Sequence, residues 1–178
     1  MFKKKNKEKK KDKKKDNIFV DVAEIILAVF AAWLFYQGMS FALGTPMPIV
    51  SVVSWSMYHD HSFDNWWDGR ATYYQPIGIN KTDFESFPMA NGLSRGDLLV
   101  VSKSNYKVGD VVIYGRSDVQ YTIVHRIVAE KDGGFLIKGD NNAVPDPGVV
   151  RKEQILGKVN VAVPILGYPR LVLYAVGI

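Results

Sequence analysis

The sequence predicts a mainly β fold: an antiparallel β domain with barrel-like sheets, preceded by one N-terminal transmembrane helix. Three observations support this class. A long apolar stretch follows a lysine-rich start, short β-branched segments recur through the rest of the chain, and Gly-Asp pairs separate several of them. Short strands that are joined by Gly and Asp turns are typical of antiparallel barrels and sandwiches.

The N-terminal tail, residues 1–17, accounts for the net positive charge of the chain. It contains ten lysines and three acidic residues, whereas the whole 178-residue chain has 23 basic and 18 acidic residues. The remainder therefore has slightly more acidic than basic residues. A nucleic-acid-binding domain would spread its basic residues over a folded face. We therefore expect no nucleic acid among the partners. The tail itself is assigned to the cytoplasm by the positive-inside rule.

Residues 18–43 form one apolar stretch, which we predict to be a single transmembrane anchor. About 20 such residues suffice to cross a bilayer, and Pro46 and Pro48 mark the end of the helix. A cleaved secretory signal is the alternative, but the stretch is long, and no small-x-small cleavage site is obvious before Pro46. The positive-inside rule then predicts a cell-membrane protein with a cytoplasmic N-terminus and an extracytoplasmic domain.

Residues 44–164 are predicted to form this extracytoplasmic β domain. An insertion rich in aromatic residues, 58–92, interrupts it. The insertion either packs locally as a loop or forms a short helix around residues 80–86, and its aromatic side chains suit a membrane interface. The β-branched segments predict six strands, at 49–53, 97–101, 111–114, 121–128, 135–138 and 157–163.

The C-terminal segment, residues 165–178, is apolar again and contains Pro169 and Arg170. It is shorter than the roughly 20 residues that a membrane span needs. We expect it to lie in the membrane interface, to be otherwise membrane-associated, or to pack on the domain.

Three kinds of polar position stand out in the β domain. Ser54 and Ser56 lie just beyond the anchor, His125 interrupts an apolar strand, and Asp140 and Asp146 lie in a loop rich in Gly, Pro and Asn. Each has an ordinary structural explanation: a hydroxyl near water, a satisfied strand histidine, and carboxylates that form turns. On these residues alone, an enzyme and a non-catalytic, membrane-tethered binding module are about equally supported.

The order of these positions resembles the box series of the type I signal peptidases. Ser-x-Ser-Met follows the anchor, two Gly-Asp strands come next, then a strand with His125-Arg126, and then Gly-Asp-Asn-Asn at 139–142. Bacterial members have Lys where His125 stands, so the chain resembles the archaeal or endoplasmic-reticulum type. The resemblance implies a signal-peptidase-like fold and a serine endopeptidase that removes signal peptides from exported preproteins.

The resemblance also implies a role for each polar residue. Ser56 is the expected nucleophile and His125 the general base, a task for which histidine is suited near neutral pH. Asp146 is expected to orient the imidazole, with Asp140 as a supporting or alternative acid. The backbone N–H of Ser56 and the hydroxyl of Ser54 would form the oxyanion hole.

The resemblance further implies cleavage after small residues near the outer membrane face. The expected partners are signal peptides of preproteins and the lipid bilayer, with an export translocon as a further candidate. Because there are no cysteines, disulfides and thiolate chemistry are excluded. His59, Asp60 and His61 attract a metal interpretation, but a defined site needs further ligands in fixed geometry. We expect neither a metal nor a cofactor.

A Ser/Lys-type relative is the rival catalytic interpretation. Lys103 and Lys107 are candidate bases, although both lie at strand ends that are flanked by turns. Lys138 lies beside the Gly-Asp-Asn-Asn loop and is expected to be solvated.

Overall fold

The computed structural model describes residues 2–176 of the chain. Met1 of the predicted tail and residues 177–178 of the predicted C-terminal segment lie outside the described residues. The chain divides between Ala42 and Leu43 into two compact units.

Helix α1, Phe2–Leu43, accounts for the N-terminal unit. Within it, Ile18–Leu43 is a candidate membrane span by length and composition. Every side chain from 18 to 35 is exposed. An apolar stretch of this kind is better matched to lipid than to water, although a signal sequence would meet the same criteria of length and composition.

The second unit is built on one six-stranded antiparallel sheet with the order β1-β2-β6-β3-β4-β5. Strand β6 therefore lies between β2 and β3, and β1 and β5 are the two edges. The predicted class, a mainly antiparallel β domain behind one N-terminal apolar helix, is confirmed. The strands are β1 Ile49–Ser51, β2 Leu98–Ser102, β3 Val111–Tyr114, β4 Ile123–Lys131, β5 Gly134–Lys138 and β6 Ile155–Val163.

Strand β3 is the apolar centre of the domain, because all four of its side chains are buried. Val111 and Ile113 belong to one hydrophobic cluster, whereas Val112 and Tyr114 belong to another. Since alternate side chains of a strand point to opposite faces, the sheet is covered on both sides at this strand. This explains why the segment is a continuous apolar run rather than an alternating one.

The insertion is a helical layer: α2 Phe63–Tyr74, a 3-10 turn Gln75–Ile77 and α3 Lys81–Glu85. The expected short helix is present as α3. The Asn80 side chain accepts the backbone N–H of Asp83, and the Asp83 carboxylate accepts that of Asn80, which together cap the helix. Helix α2 was not predicted, because its mixture of aromatic and polar residues gives no clear helical period.

The aromatic side chains of the insertion form a core of their own. Four of them are at most 3% exposed, so the expectation that they line a membrane interface is wrong for these residues. They pack around Val128 of β4 instead, where aromatic rings bury large apolar areas. The four are Trp66, Trp67, Tyr74 and Phe84.

Strand β4 presents neighbouring residues to different layers. Val128 joins the aromatic core of the insertion, and the guanidinium carbon of Arg126 lies 4.7 Å from the ring centre of Phe84 in that core. Ile127 belongs to the opposite cluster, with Tyr114 of β3. Alternation along the strand thus turns His125 away from the insertion and Arg126 towards it.

The C-terminal segment forms helix α4, Tyr168–Ala175, which contacts β1. Leu171 is its buried side chain, at 8% exposed. Val172, Leu173 and Tyr174 are 63%, 45% and 54% exposed, so α4 presents an apolar face outward.

Candidate active site

The segment 54–57, here called the serine turn, forms a turn shortly after β1. Val52 and Met57 are buried in the core and hold the two ends of this turn. Between them, the Ser54 hydroxyl lies 3.0 Å from the Ser56 hydroxyl, and both serines line one groove. The buried ends fix the turn, while the two hydroxyls remain accessible to a substrate.

His125 and Asp146 are joined by a hydrogen bond in the same groove. Nδ1 of His125 lies 2.5 Å from Oδ2 of Asp146, and both side chains are mostly buried, at 8% and 11% exposed. The backbone N–H of Asp146 donates to the carbonyl of Ile137 at 2.8 Å, which ties the loop to β5. A carboxylate at Nδ1 leaves Nε2 as the ring nitrogen that can exchange a proton with a nucleophile.

Gly139 lies in close contact with both Nε2 of His125 and the turn that contains Ser56. A Cβ atom at position 139 would lie 2.8 Å from both Nε2 of His125 and the carbonyl oxygen of Ser56. Contacts this short are not tolerated, so only glycine allows the backbone at position 139 to pass this close to both groups.

Tyr114 is a further member of this cluster that the sequence did not single out. Its hydroxyl donates to Oδ2 of Asp146 at 2.7 Å. Burial, and then the hydrogen bond to Asp146, raise the pKa of Tyr114, which keeps the phenol protonated as a donor. A polar ring at the end of the aliphatic run Val111–Tyr114 was the available signal.

Asp140 lies in a different network from His125. Its carboxylate accepts both Nε and Nη2 of Arg126, at 2.9 and 2.7 Å, and Nε2 of His59 lies 3.2 Å away. Burial alone would raise the pKa of Asp140, but the Arg126 charge and the hydrogen bonds from His59 and Arg126 outweigh it and hold that pKa at about 2. Of the two acids, the structure brings Asp146, not Asp140, to His125.

Arg126 connects the Asp140 network to the surrounding loops. It is fully buried, and its remaining hydrogen bonds go to backbone carbonyls. Nη1 donates to Pro88 at 2.6 Å and to Gly109 at 2.8 Å, and Nη2 donates to Met89 at 2.8 Å. A buried charge needs such partners, so Arg126 and Asp140 form a structural centre beneath the groove.

Lys138 is buried, and the expectation that it is solvated is wrong. Its Nζ donates to the carbonyls of Gly139 and Asp140, at 3.1 and 3.2 Å, and to the Tyr74 hydroxyl at 3.3 Å. Burial lowers the pKa of Lys138 to about 8. The insertion covers this lysine, a contact that the sequence could not predict because α2 was not foreseen.

The groove is suited to a peptide with apolar side chains. It encloses about 720 Å³ beside the edge strand β1, and most of its exposed lining is apolar. None of the described residues that line it is a lysine, and Lys103 and Lys107 are not among them. Besides the four polar residues already named, the lining includes Ile49, Val50, Val52, Ile123, Val124 and, from α4, Arg170 and Tyr174.

The two histidines of the candidate metal motif His59-Asp60-His61 lie in different environments. His59 is buried and stacks on Trp66 with ring centres 3.6 Å apart, while the His61 side chain is 67% exposed. Among the side chains that the structure describes, those of residues 18–176, no three His, Cys, Asp or Glu residues group as a metal site.

A serine, a histidine and a carboxylate held on the far ring nitrogen form the catalytic set of serine hydrolases. Here they line one groove beside the edge strand β1. The groove has the set of groups that a serine-type peptidase needs, and the comparison with known proteins identifies which kind of peptidase this is.

No model of a known protein family matches the chain. The chain is 33% identical over 153 residues to the signal peptidase complex catalytic subunit SEC11 of Zygosaccharomyces rouxii, which covers 78% of this chain and 72% of the relative. SEC11 of Pyricularia oryzae is 30% identical over 162 residues, covering 83% and 76%. SEC11 of Debaryomyces hansenii is 30% identical over 165 residues, covering 84% and 78%.

The chain therefore belongs to the family of signal peptidase complex catalytic subunits. This confirms the resemblance to the signal peptidases. Because the relatives are catalytic subunits, it favours an enzyme over a non-catalytic binding module.

Proposed function

We propose that this chain is a membrane-anchored serine endopeptidase that removes N-terminal signal peptides from exported preproteins. Within that reaction, Ser56 is the nucleophile, His125 the general base and Asp146 the orienting acid. The observation that carries the proposal is the hydrogen bond between Nδ1 of His125 and Asp146 in the groove that also holds Ser56.

The chemistry proceeds by acyl transfer. His125 takes the hydroxyl proton of Ser56 as the oxygen attacks the scissile carbonyl, and then gives that proton to the leaving amine. Asp146 stabilises the imidazolium that forms in between. A water, activated by His125, then hydrolyses the acyl-enzyme and frees Ser56. The Ser56 N–H and the Ser54 hydroxyl are the proposed donors to the oxyanion.

The substrate is a preprotein whose cleavage site is extended in the groove. Strand β1 is an edge strand, so a peptide can add to the sheet there through backbone hydrogen bonds. The resemblance supplies the preference for small residues at the first and third positions before the cut. The short stretch of sequence between Leu43, where α1 ends, and Ser56 supports cleavage near the outer membrane face.

The proposed topology puts the N-terminus in the cytoplasm and the peptidase domain outside the cell membrane. Ten lysines before the candidate span support it through the positive-inside rule. An export translocon is a proposed partner, because it would deliver preproteins to this side of the membrane.

The test is cleavage of a purified preprotein by the detergent-solubilised chain. We expect one cut after a small residue, identified by N-terminal sequencing of the mature product. A preprotein with a large residue, such as Phe, at the position before the cut is the matched control and should stay intact. If the wild-type chain leaves the preprotein uncut while a related signal peptidase cleaves it, the proposal is contradicted.

The outward face of α4 is proposed to lie in the membrane interface. The chain has no cysteine, so Val172→Cys can be labelled at one site with an environment-sensitive fluorophore. In lipid vesicles that contain the full chain, we expect a blue-shifted emission that lipid-borne quenchers reduce, because Val172 is 63% exposed on an apolar face. Glu153→Cys, on an exposed polar turn, is the control and should keep a water-like spectrum. Identical spectra at the two sites would contradict the assignment.

A further inference from the structure

We propose that Arg70, on helix α2 of the insertion, is a positioning residue that orients the oxyanion-hole peptide through Asn141. The inference rests on the proposed function, in which Ser56 is the nucleophile. It gives the insertion a role in the reaction although the insertion supplies none of the proposed catalytic groups.

Asn141 holds both carbonyl groups that flank the nucleophile. Its backbone N–H donates to the carbonyl oxygen of Ser56 at 2.8 Å, and its side-chain Nδ2 donates to that of Trp55 at 3.2 Å. Trp55 O also accepts the backbone N–H of Tyr58 at 3.1 Å, which closes the serine turn locally. Asn141 therefore links this turn to the Gly-Asp-Asn-Asn loop.

The hydrogen bond to Trp55 bears on the oxyanion hole because of peptide geometry. The carbonyl of Trp55 and the N–H of Ser56 belong to the same peptide group. That group is planar and trans, so the two dipoles point in opposite directions. Holding the carbonyl towards Asn141 therefore aims the N–H of Ser56 the other way. The direction of this proposed oxyanion donor thus depends on the two hydrogen bonds to the Trp55 carbonyl, one of which comes from the side-chain amide of Asn141.

Arg70 determines how that amide is turned. Nη2 of Arg70 donates to Oδ1 of Asn141 at 2.6 Å, a charge-assisted contact between half-buried groups. With Oδ1 held by the guanidinium, Nδ2 is the atom that meets the Trp55 carbonyl. If the amide turned over, two oxygens would face each other at Trp55, and the donor would be lost.

Helix α2 also reaches the start of the same loop. The Tyr74 hydroxyl accepts Nζ of Lys138, which in turn donates to the carbonyls of Gly139 and Asp140. The insertion therefore supports residues 139–141 at consecutive positions, while Arg70 is its contact with the residue that holds the serine turn.

The test measures kcat and KM for preprotein cleavage in Arg70→Ala, Asn141→Ala and the double variant. We expect Arg70→Ala to lower kcat about tenfold, less than the 10²–10³-fold that loss of an oxyanion donor typically costs. KM should stay within about twofold, because Arg70 is not among the residues that line the groove. Lys81→Ala is the matched control: it removes a cation of the insertion that pairs with Asp64 at 2.6 Å and is expected to leave kcat unchanged.

The double variant distinguishes positioning from general support of the fold. If Arg70 acts through Asn141, the double variant should be no slower than Asn141→Ala, whereas independent effects would multiply. Multiplying effects, or an unchanged kcat in Arg70→Ala, would overturn the proposal. If Arg70→Ala also unfolds more easily, Arg70→Lys decides: partial recovery of kcat supports positioning, and no recovery overturns it.

Failure of this inference is separable from failure of the proposed function. Ser56→Ala is assayed in parallel. Activity that survives in Ser56→Ala would refute the nucleophile and the positioning role together. An inactive Ser56→Ala beside a fully active Arg70→Ala would refute the role of Arg70 alone.

Discussion

Replacing Ser56 by alanine is expected to lower kcat for preprotein cleavage by about 10⁴–10⁶-fold, because no acyl-enzyme can form. KM and the unfolding midpoint should change little, since Ser56 lies at the groove surface and its hydroxyl contacts Ser54. Ser104→Ala is the control: it removes a hydroxyl in an exposed loop that contacts only the neighbouring Asn105 carbonyl. Substantial activity in Ser56→Ala would refute the mechanism.

His125→Ala is expected to reach a similar loss, and adding Ser56→Ala should reduce the rate little further. The two residues act as a unit, so their effects are not additive. Any residual rate would come from substrate binding and the oxyanion hole. Full activity in His125→Ala would reopen the Ser/Lys alternative, and with it the search for another base.

Asp146 and Asp140 are expected to fail in different ways when each is changed to asparagine. Asp146→Asn should lower kcat by about 10²–10⁴-fold at nearly wild-type stability, because an amide at Nδ1 favours the wrong histidine tautomer. Asp140→Asn should instead destabilise the fold by about 3–5 kcal/mol, because it leaves the buried charge of Arg126 without its partner. Chemical denaturation and steady-state kinetics on the same preparations separate the two outcomes.

The pH dependence of stability gives an independent check on Asp140. Its pKa is held at about 2 in the folded chain, below the ordinary value of 3.8. The unfolded chain therefore binds this proton first as pH falls, so the stabilisation is present above about pH 4 and is lost towards pH 2. Asp140→Asn should reduce this acid-dependent loss. If wild type and Asp140→Asn lose stability equally as the pH falls, the depressed pKa of Asp140 does not stabilise the fold as proposed.

A large part of the fold could be predicted from local patterns. All six strands were predicted within a few residues, because β-branched runs and Gly-Asp turns mark them regardless of their surroundings. A short helix at the position of α3 was one of two predicted alternatives for the insertion, whereas α2 was missed. The aromatic side chains of α2 are buried against Val128, a residue far away in the chain. A contact between such distant residues cannot be predicted from local periodicity.

The candidate site, like the fold, could be predicted only in part from the sequence. The order of Ser56, His125 and the two acids along the chain identified the family and gave the candidates for each role. Sequence order could not decide between Asp140 and Asp146, since both lie in one loop. The structure separates them because that loop turns after Gly139 and sends Asp140 towards Arg126, on the opposite face of β4 from His125.

The sequence by itself therefore determined the apolar N-terminal segment, the β domain, the family and the identity of the candidate nucleophile and base, because each depends on residue type and order. Only the tertiary structure decided which acid meets the histidine, that Lys138 is buried, and that Arg70 of the insertion reaches Asn141. These features depend on contacts between residues that are distant along the chain, such as Lys138 with Tyr74 of the insertion, and they exist only once the chain has folded.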